Sequence, residues 1–282
     1  MHHDYTTVGH VSVDVMADGS RRPGGTAFYS ALQAARLGQR TLIVTQGVPR
    51  EIEDLLEPYR SELDLAISPA RETTTLLTRG SGAQRTQHVL AWAGRLAEDL
   101  ELDTAILHLA PIARELPTGW RGRADFVGLT PQGLLRDWAP HGGRISLTTP
   151  AGAAEELALS CQALVLSEHE RESSAGLIAA ATSSGAVVAL TAGGAPATIL
   201  LADGETLAVE VPELEEPHED LGAGDVFAAA FFIALAERSP PKGAAAFANA
   251  AAAVRMGARG PDAIGVRAAI EARLRATGGS PG

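Results

Sequence analysis

Apolar residues along this chain change period repeatedly, and the changes mark out strands and helices. Residues 7–16 carry valines at 8, 11, 13 and 15 and predict a first strand ending near Asp14. Behind Pro23-Gly24-Gly25, the residues Phe28, Ala31, Leu32 and Ala35 recur at helical spacing, and Leu37-Gly38 supplies the stop. A strand over 41–45, a helix over 50–59 and a strand over 63–67 follow. Residues 72–92 are rich in Thr, Leu and Val around Gly80-Ser81-Gly82, the pattern of a β-hairpin. Alternation resumes with strands at 104–109 and 125–129, each followed by a helix opening on proline, at 111–116 and 131–138. A strand at 163–166, a helix to about 183 and a strand at 186–191 come next. Asp203-Gly204 joins 198–202 and 206–211 as a hairpin. The tail reads as three helices, 225–237, 242–256 and 266–276, and a frayed end from Gly278 to Gly282.

Strand–helix alternation of this kind signals an α/β chain, a mainly parallel sheet with helices on both faces. No linker or repeat divides it, so residues 1–282 read as a single domain, with 71–92 placed to form a small β lid. The composition is ordinary for a globular chain, 45% hydrophobic and 20% charged. A formal charge of −11 argues against a nucleic-acid or anionic-membrane partner. One cysteine, Cys161, allows no internal disulfide and no multi-cysteine metal site, which fits a reducing cytoplasm. The residues after Met1 lack a signal peptide's basic and apolar regions, and no apolar run reaches membrane-spanning length. The only lysine is Lys242, and no Gly-Lys-Ser/Thr run exists, so a P-loop is excluded.

The chemistry concentrates at Gly222-Ala223-Gly224-Asp225, which opens an apolar helix. The N-terminus of a helix offers unpaired N–H groups and partial positive charge, a place for an anion such as phosphate. A carboxylate there is repulsive unless it has a task, such as taking a proton from an attacking hydroxyl. Read alone, the same residues are an ordinary helix start. Asp14 reads equally as a carboxylate for substrate hydroxyls and as a turn residue before Ala17-Asp18-Gly19-Ser20.

Together these features resemble the ribokinase-like, or PfkB-type, carbohydrate kinases over nearly the whole chain. The family's second signature, Asp-Thr-x-Gly-Ala-Gly-Asp, is matched by Glu219-Asp220-Leu221-Gly222-Ala223-Gly224-Asp225 and then Phe227. Its first, a Gly-Gly before a helix ending Ala-Arg-Leu-Gly, is matched by Gly24-Gly25 and by Ala35-Arg36-Leu37-Gly38. The resemblance implies a ribokinase-like three-layer fold and ATP-dependent phosphorylation of a hydroxyl on a sugar, an inositol-like cyclitol or a related small polyol. It implies Asp225 as general base, the Gly222, Ala223 and Gly224 backbone as anion hole, and Asp14, Gly24 and Gly25 as the substrate floor. Ser167-Glu168-His169-Glu170 falls where the family has Asn-x-x-Glu, so Glu170 would help place Mg2+ and phosphate through water. Thr191-Ala192-Gly193 resembles the turn beside ATP, which would put Thr191 and Gly193 on the nucleotide, and Asn249 lies in the helix that lines the adenine pocket in relatives. His108-Leu109-Ala110-Pro111 and residues 128–136 are similar to the inositol-kinase-like branch, which would put Gln132 and Arg136 on the substrate. By their residues alone, Gln132 and Arg136 read equally as a helix-surface pair.

The chain departs from the family in several places. Glu219 and Asp220 replace Asp and Thr in a region that often helps hold a monovalent cation, so that cation is not carried over. Ser167 replaces Asn, and Pro196 stands where the nucleotide turn has a later glycine. Nine residues between Asp14 and Gly24 leave little room for the usual lid strand, so either a monomer or a homodimer is compatible with the sequence. Two rivals stand beside the polyol kinase: a nucleoside kinase of the same family, with Phe28 and Tyr29 to stack a base, and a degenerate member that binds ligand without turnover.

Overall fold

The stretch 7–16, expected as one strand, is two. β1 (His3–Val8) and β2 (Ser12–Val15) are separated at residues 9–11, and they belong to different sheets. Side chains from elsewhere hold the break open: Glu115 Oε1 accepts the His10 amide at 2.8 Å, and Thr45 Oγ1 accepts the Val11 amide at 2.8 Å. A strand would have spent those amides on a neighbour. The computed structural model describes residues 2–117, 119–150, 152–214 and 218–278, so most of the expected frayed end lies outside the described residues.

After β2 come β3 (Arg21–Gly24), α1 (Thr26–Arg36), β4 (Thr41–Gly47), α2 (Pro49–Leu56) and β5 (Leu63–Pro69). The hairpin expected around Gly80-Ser81-Gly82 is β6 (Thr75–Arg79) with β7 (Thr86–Ala91). Next are β8 (Glu101–Leu109), β9 (Arg121–Leu129), and three two-residue strands, β10 (Arg136–Asp137), β11 (Gly143–Arg144) and β12 (Ser146–Leu147). The remainder runs α3 (Gly152–Leu159), β13 (Ala163–Ser167), α4 (Ala175–Ser183), β14 (Val187–Ala192), β15 (Ala195–Leu200) and β16 (Thr206–Val209). The tail is α5 (Ala223–Ala236), α6 (Pro241–Met256) and α7 (Arg267–Ala276), the three helices expected.

Two expected helices are absent. Residues 111–116 make bends, because the Glu115 carboxylate accepts the amides of Ile112 and Ala113 and so competes with helical pairing. Residues 131–138 give only a short 3-10 turn, Pro131–Leu135, before β10.

The main sheet has nine strands in the order β16-β15-β14-β13-β9-β8-β1-β4-β5. Its pairs are parallel from β14 to β5, and the β15–β16 hairpin adds an antiparallel edge. Alternate residues feed opposite layers: Ile106 packs with α1, α5, α6 and α7, whereas Leu107 and Leu109 pack with α3 and α4. Helix α5 is apolar all round, with every residue from Val226 to Ala234 buried. The rear layer includes Cys161, a buried thiol that donates to Ala158 O at 3.0 Å. A second, five-stranded sheet, β11-β7-β6-β2-β3, stands apart from the first. This is the α/β architecture that the alternation implied, a mainly parallel sheet with helices on both faces. Among the described residues, no helix is long and apolar enough to cross a membrane.

Candidate active site

Asp14 sits on β2 of the second sheet, and its carboxyl is buried at 2% exposure. β3 returns antiparallel beside it, in a register that pairs Ser12 with Gly24. Gly24 has to be glycine here, since a Cβ would stand 2.3 Å from Asp14 Cγ. Gly25 follows at φ 90, where it starts α1. Ser12 Oγ donates to Asp14 Oδ1 at 2.9 Å. Burial nevertheless pushes the Asp14 carboxyl up to about 6, with Ser12, Arg136 and Arg85 pulling it down and Asp225 adding to the rise.

Asp225 approaches from the main layer. Gly222 caps α5 in the left-handed region, φ 80 and ψ −1, and Asp225 lies in the first turn. The face of Tyr29 closes on this turn: a Cβ on Gly222 would lie 2.3 Å from the Tyr29 ring. Ala223 N–H turns back to Asp220 O at 3.1 Å. Among the described residues, the amides of Gly222, Gly224 and Asp225 have no acceptor, which is the condition an anion site requires. Burial raises the Asp225 carboxyl above its ordinary range. The Thr26 hydroxyl, Arg136 and Arg85 oppose that rise, and Glu170 adds to it. Thr26 Oγ1 is itself buried and makes no hydrogen bond of normal geometry, so it stands available beside the carboxylate.

Arg136 is the buried cation of this cluster. It is buried at 7% exposure, donates to Ile112 O at 2.9 Å and to Gln87 Oε1 at 2.6 Å, and lies in the field of Glu170, Asp225 and Asp14. Gln87 is on β7, so the second sheet and its β6–β7 turn supply Asp14, Gly24, Gln87 and Arg85 to one place. Glu170 is buried, and its Oε2 accepts both Ser167 N at 2.9 Å and Ser167 Oγ at 2.7 Å. Ser167, which replaces the expected Asn, thus closes a capping box at the end of β13. Among the described residues, no three His, Cys, Asp or Glu side chains converge as metal ligands.

The structure therefore brings Asp14, Gly24, Gly25, Arg136, Glu170 and Asp225 to one place, with the Gly222–Gly224 turn beside them. The other sequence candidates lie further out. Thr191 pairs with Ser167 across β13 and β14, and Gly193 is exposed in the turn to β15. Asn249 is buried on α6 and donates to Val209 O at 3.2 Å and Glu210 O at 3.0 Å, so its amide nitrogen is spent on the end of β16. Gln132 is half-buried in the 3-10 turn. Sequence reasoning missed Thr26, Arg85 and Gln87. Thr26 directly follows the glycine pair, which is the one signal that could have found it. A cavity of about 570 Å³ lined by Val13, Arg21, Glu51 and Asp54 is separate. Val13 points to the opposite face of β2 from Asp14. His108 is a core residue, held between the Tyr5 hydroxyl (2.8 Å to Nδ1) and the Thr130 hydroxyl (2.9 Å to Nε2), and burial lowers its pKa to about 3.

Comparison with known proteins bears on the fold and on one segment of the chain. The family model described as pfkB family carbohydrate kinase matches residues 152–266. No curated protein sequence matches the chain. Among solved structures, a pyrophosphate-dependent myo-inositol-1 kinase, studied in its conversion to a myo-inositol-3 kinase, is 18% identical with a TM-score of 0.75 over 97% of this chain and 99% of that one. The nucleoside kinase of Methanocaldococcus jannaschii, an archaeal member of the ribokinase family, is 17% identical with a TM-score of 0.74 over 97% and 98%. Arabidopsis thaliana ribokinase, complexed with ribose and ATP, is 18% identical with a TM-score of 0.70 over 98% and 99%. The resemblance is borne out in the matching segment, which contains Gly222–Asp225 but not Gly24-Gly25, and in the fold.

Proposed function

We propose that this chain, a ribokinase-like fold with a pfkB carbohydrate-kinase segment, is a phosphotransferase that phosphorylates a hydroxyl of a sugar, an inositol-like cyclitol or a related small polyol. One observation carries the reading: a desolvated carboxylate, Asp225, stands in the first helical turn beside three unpaired amides, with a second buried carboxylate, Asp14, in its field. Asp14, with Gly24 and Gly25 giving the backbone close approach, holds acceptor hydroxyls. Gln132 and Arg136 complete the acceptor side. The acceptor oxygen bonds to the donor's terminal phosphorus, the bond from that phosphorus to the leaving phosphate oxygen breaks, and the hydroxyl proton passes to Asp225. The raised Asp225 carboxyl suits a base working near neutral pH. The Gly222–Gly224 turn and the α5 N-terminus stabilise charge on the transferring group, and Arg136 adds a fixed positive charge. The second sheet, with the 71–92 hairpin, acts as the lid.

Mg2+ is compatible with the site, where the Glu170 carboxylate shares a field with Asp225: Glu170 would hold the ion through water, with donor phosphates and water as its main ligands. When bound, it supplies charge neutralisation on the donor. Thr191 and Gly193 border the donor side. Asn249 has its amide engaged, so pyrophosphate belongs in the assay beside ATP. A nucleoside acceptor gains no support from Phe28 and Tyr29, since both are buried and offer no stacking face.

The test is phosphoryl transfer from ATP or pyrophosphate across a panel of sugars, cyclitols and nucleosides. Asp225→Asn should lower the rate ~10²–10⁴-fold, the range for loss of a positioned base. A variant as active as the wild type would remove Asp225 from the reaction, and an absence of Asp225-dependent turnover would leave a binding module.

A further inference from the structure

The largest of the fully buried side chains is Arg255, in the last turn of α6. Its surroundings are unusual for a buried charge. Nη2 donates to Leu221 O at 2.7 Å, Nη1 donates to Ala258 O at 3.1 Å, and the nearest carboxylate oxygen, Glu219 Oε2, lies 3.6 Å from Nη2. That oxygen also accepts Gly260 N–H at 2.7 Å, and Glu219 Oε1 accepts Arg22 Nη1 at 3.0 Å. Arg255 Nε has no partner, and its guanidinium carbon stands 5.7 Å from the centroid of the Tyr29 ring. Two backbone carbonyls from different loops and one carboxylate, all turned to a single buried positive charge, make the kind of oxygen cage that holds an alkali cation.

This cage adjoins the anion-binding turn. Leu221 immediately precedes Gly222, and among the described residues no peptide bond is cis. In a planar trans peptide the carbonyl and the following N–H point in opposite directions. Anchoring Leu221 O on Arg255 therefore turns Gly222 N–H away from Arg255, and Tyr29, which packs on Gly222, keeps the turn seated.

We propose that Arg255 is a built-in cation: its guanidinium fills the oxygen cage beneath the Gly222 turn and positions that turn, so the chain needs no monovalent metal ion there. The resemblance to relatives that hold a monovalent cation in this region does not carry over, because the oxygens that would ligate it already grip a guanidinium. Arginine suits the place, since it keeps its charge when buried and spans two acceptors with one rigid fork. Arg255 touches neither reactant and is a positioning residue. Its effect on turnover rests on the function proposed above, but the filled cage does not.

The experiment compares wild type and Arg255→Ala in potassium, sodium, caesium and choline chloride at constant ionic strength, reading thermal melting and, separately, phosphoryl transfer. The wild type should melt at the same temperature and work at the same rate in all four salts. Arg255→Ala should melt about 5–10 °C lower in choline, the cost of emptying a buried charged site, and recover part of that in potassium or in dilute guanidinium. Its kcat should fall about tenfold or more with KM for the acceptor nearly unchanged, as for a displaced anion-hole donor. If Arg255→Ala does not fold, Arg255→Lys takes its place: it keeps the charge but not the fork, and should show a smaller, cation-sensitive loss. Wild-type stimulation by potassium over choline, or a variant whose melting ignores both potassium and guanidinium, overturns the proposal. A chain without transferase activity whose variant is still rescued in melting would overturn the function and leave this inference standing.

Discussion

Asp14 shows how much one buried carboxyl couples stability to pH. Burial lifts its pKa from 3.8 to about 6, so between those values the folded chain keeps a proton that the unfolded chain has released. The contribution is full below the unfolded value and is lost as pH rises through about 6. Asp14→Asn, which cannot ionise, escapes that loss. It should be more stable than the wild type by up to about 3 kcal/mol near pH 8 and nearly equal to it near pH 4, measured by denaturant unfolding. A difference that stayed constant across this range would return Asp14 to the ordinary carboxylate range. The same titration predicts that the wild-type KM for the acceptor rises below about pH 6, as the carboxylate takes up its proton. Asp14 could be picked out in the sequence because a lone acid interrupts an apolar strand. Its elevated pKa could not, because burial, its main cause, is set by tertiary packing, and Asp225, which adds to the rise, lies far along the chain.

Between elements, the decisive contact joins the β6–β7 hairpin to the loop before α5. Gly82 N–H donates to Asp220 Oδ2 at 2.7 Å, and Arg85 pairs with the other Asp220 oxygen. Arg22 on β3 makes a second tie, to Glu219. The second sheet is thus fastened at two points to the residues that precede the Gly222 turn. Arg85→Ala removes one tie and one of the cations in the field of Asp14 and Asp225. It should raise the acceptor KM several-fold and speed proteolysis at the Gly80–Gly82 turn, because hairpin opening costs less. Unchanged cleavage and unchanged KM would mean that the pair is an ordinary surface ion pair. The hairpin and the three tail helices were legible in sequence, because periodicity and turn residues are local signals. The break at residues 9–11 and the missing helix at 111–116 were not, because Glu115 sets both by collecting amides from two segments. Arg85 and Arg255 were missed for the same reason: Asp220 lies 135 residues from Arg85, and Leu221 lies 34 residues from Arg255.

At the scale of the whole molecule, the sheet divides the interior into two apolar layers with different duties. The front layer, with α1, α5, α6 and α7, carries the Gly222 turn and the buried Asp225 carboxyl at the start of α5. The rear layer, with α3 and α4, carries none of the candidate chemistry apart from its border at Ser167–Glu170. That division makes Cys161 a natural stopwatch for the rear half. The thiol is buried and its pKa is pushed up to about 12, so no thiolate is presented to a reagent while that layer stays shut. A disulfide-exchange dye should leave the folded chain unlabelled over minutes and react at once in denaturant. In between, its labelling rate should time the opening of the rear layer alone, and it should not change when a ligand tightens the front. One atom of sulfur would then tell whether the two faces of the sheet come apart together or in turn.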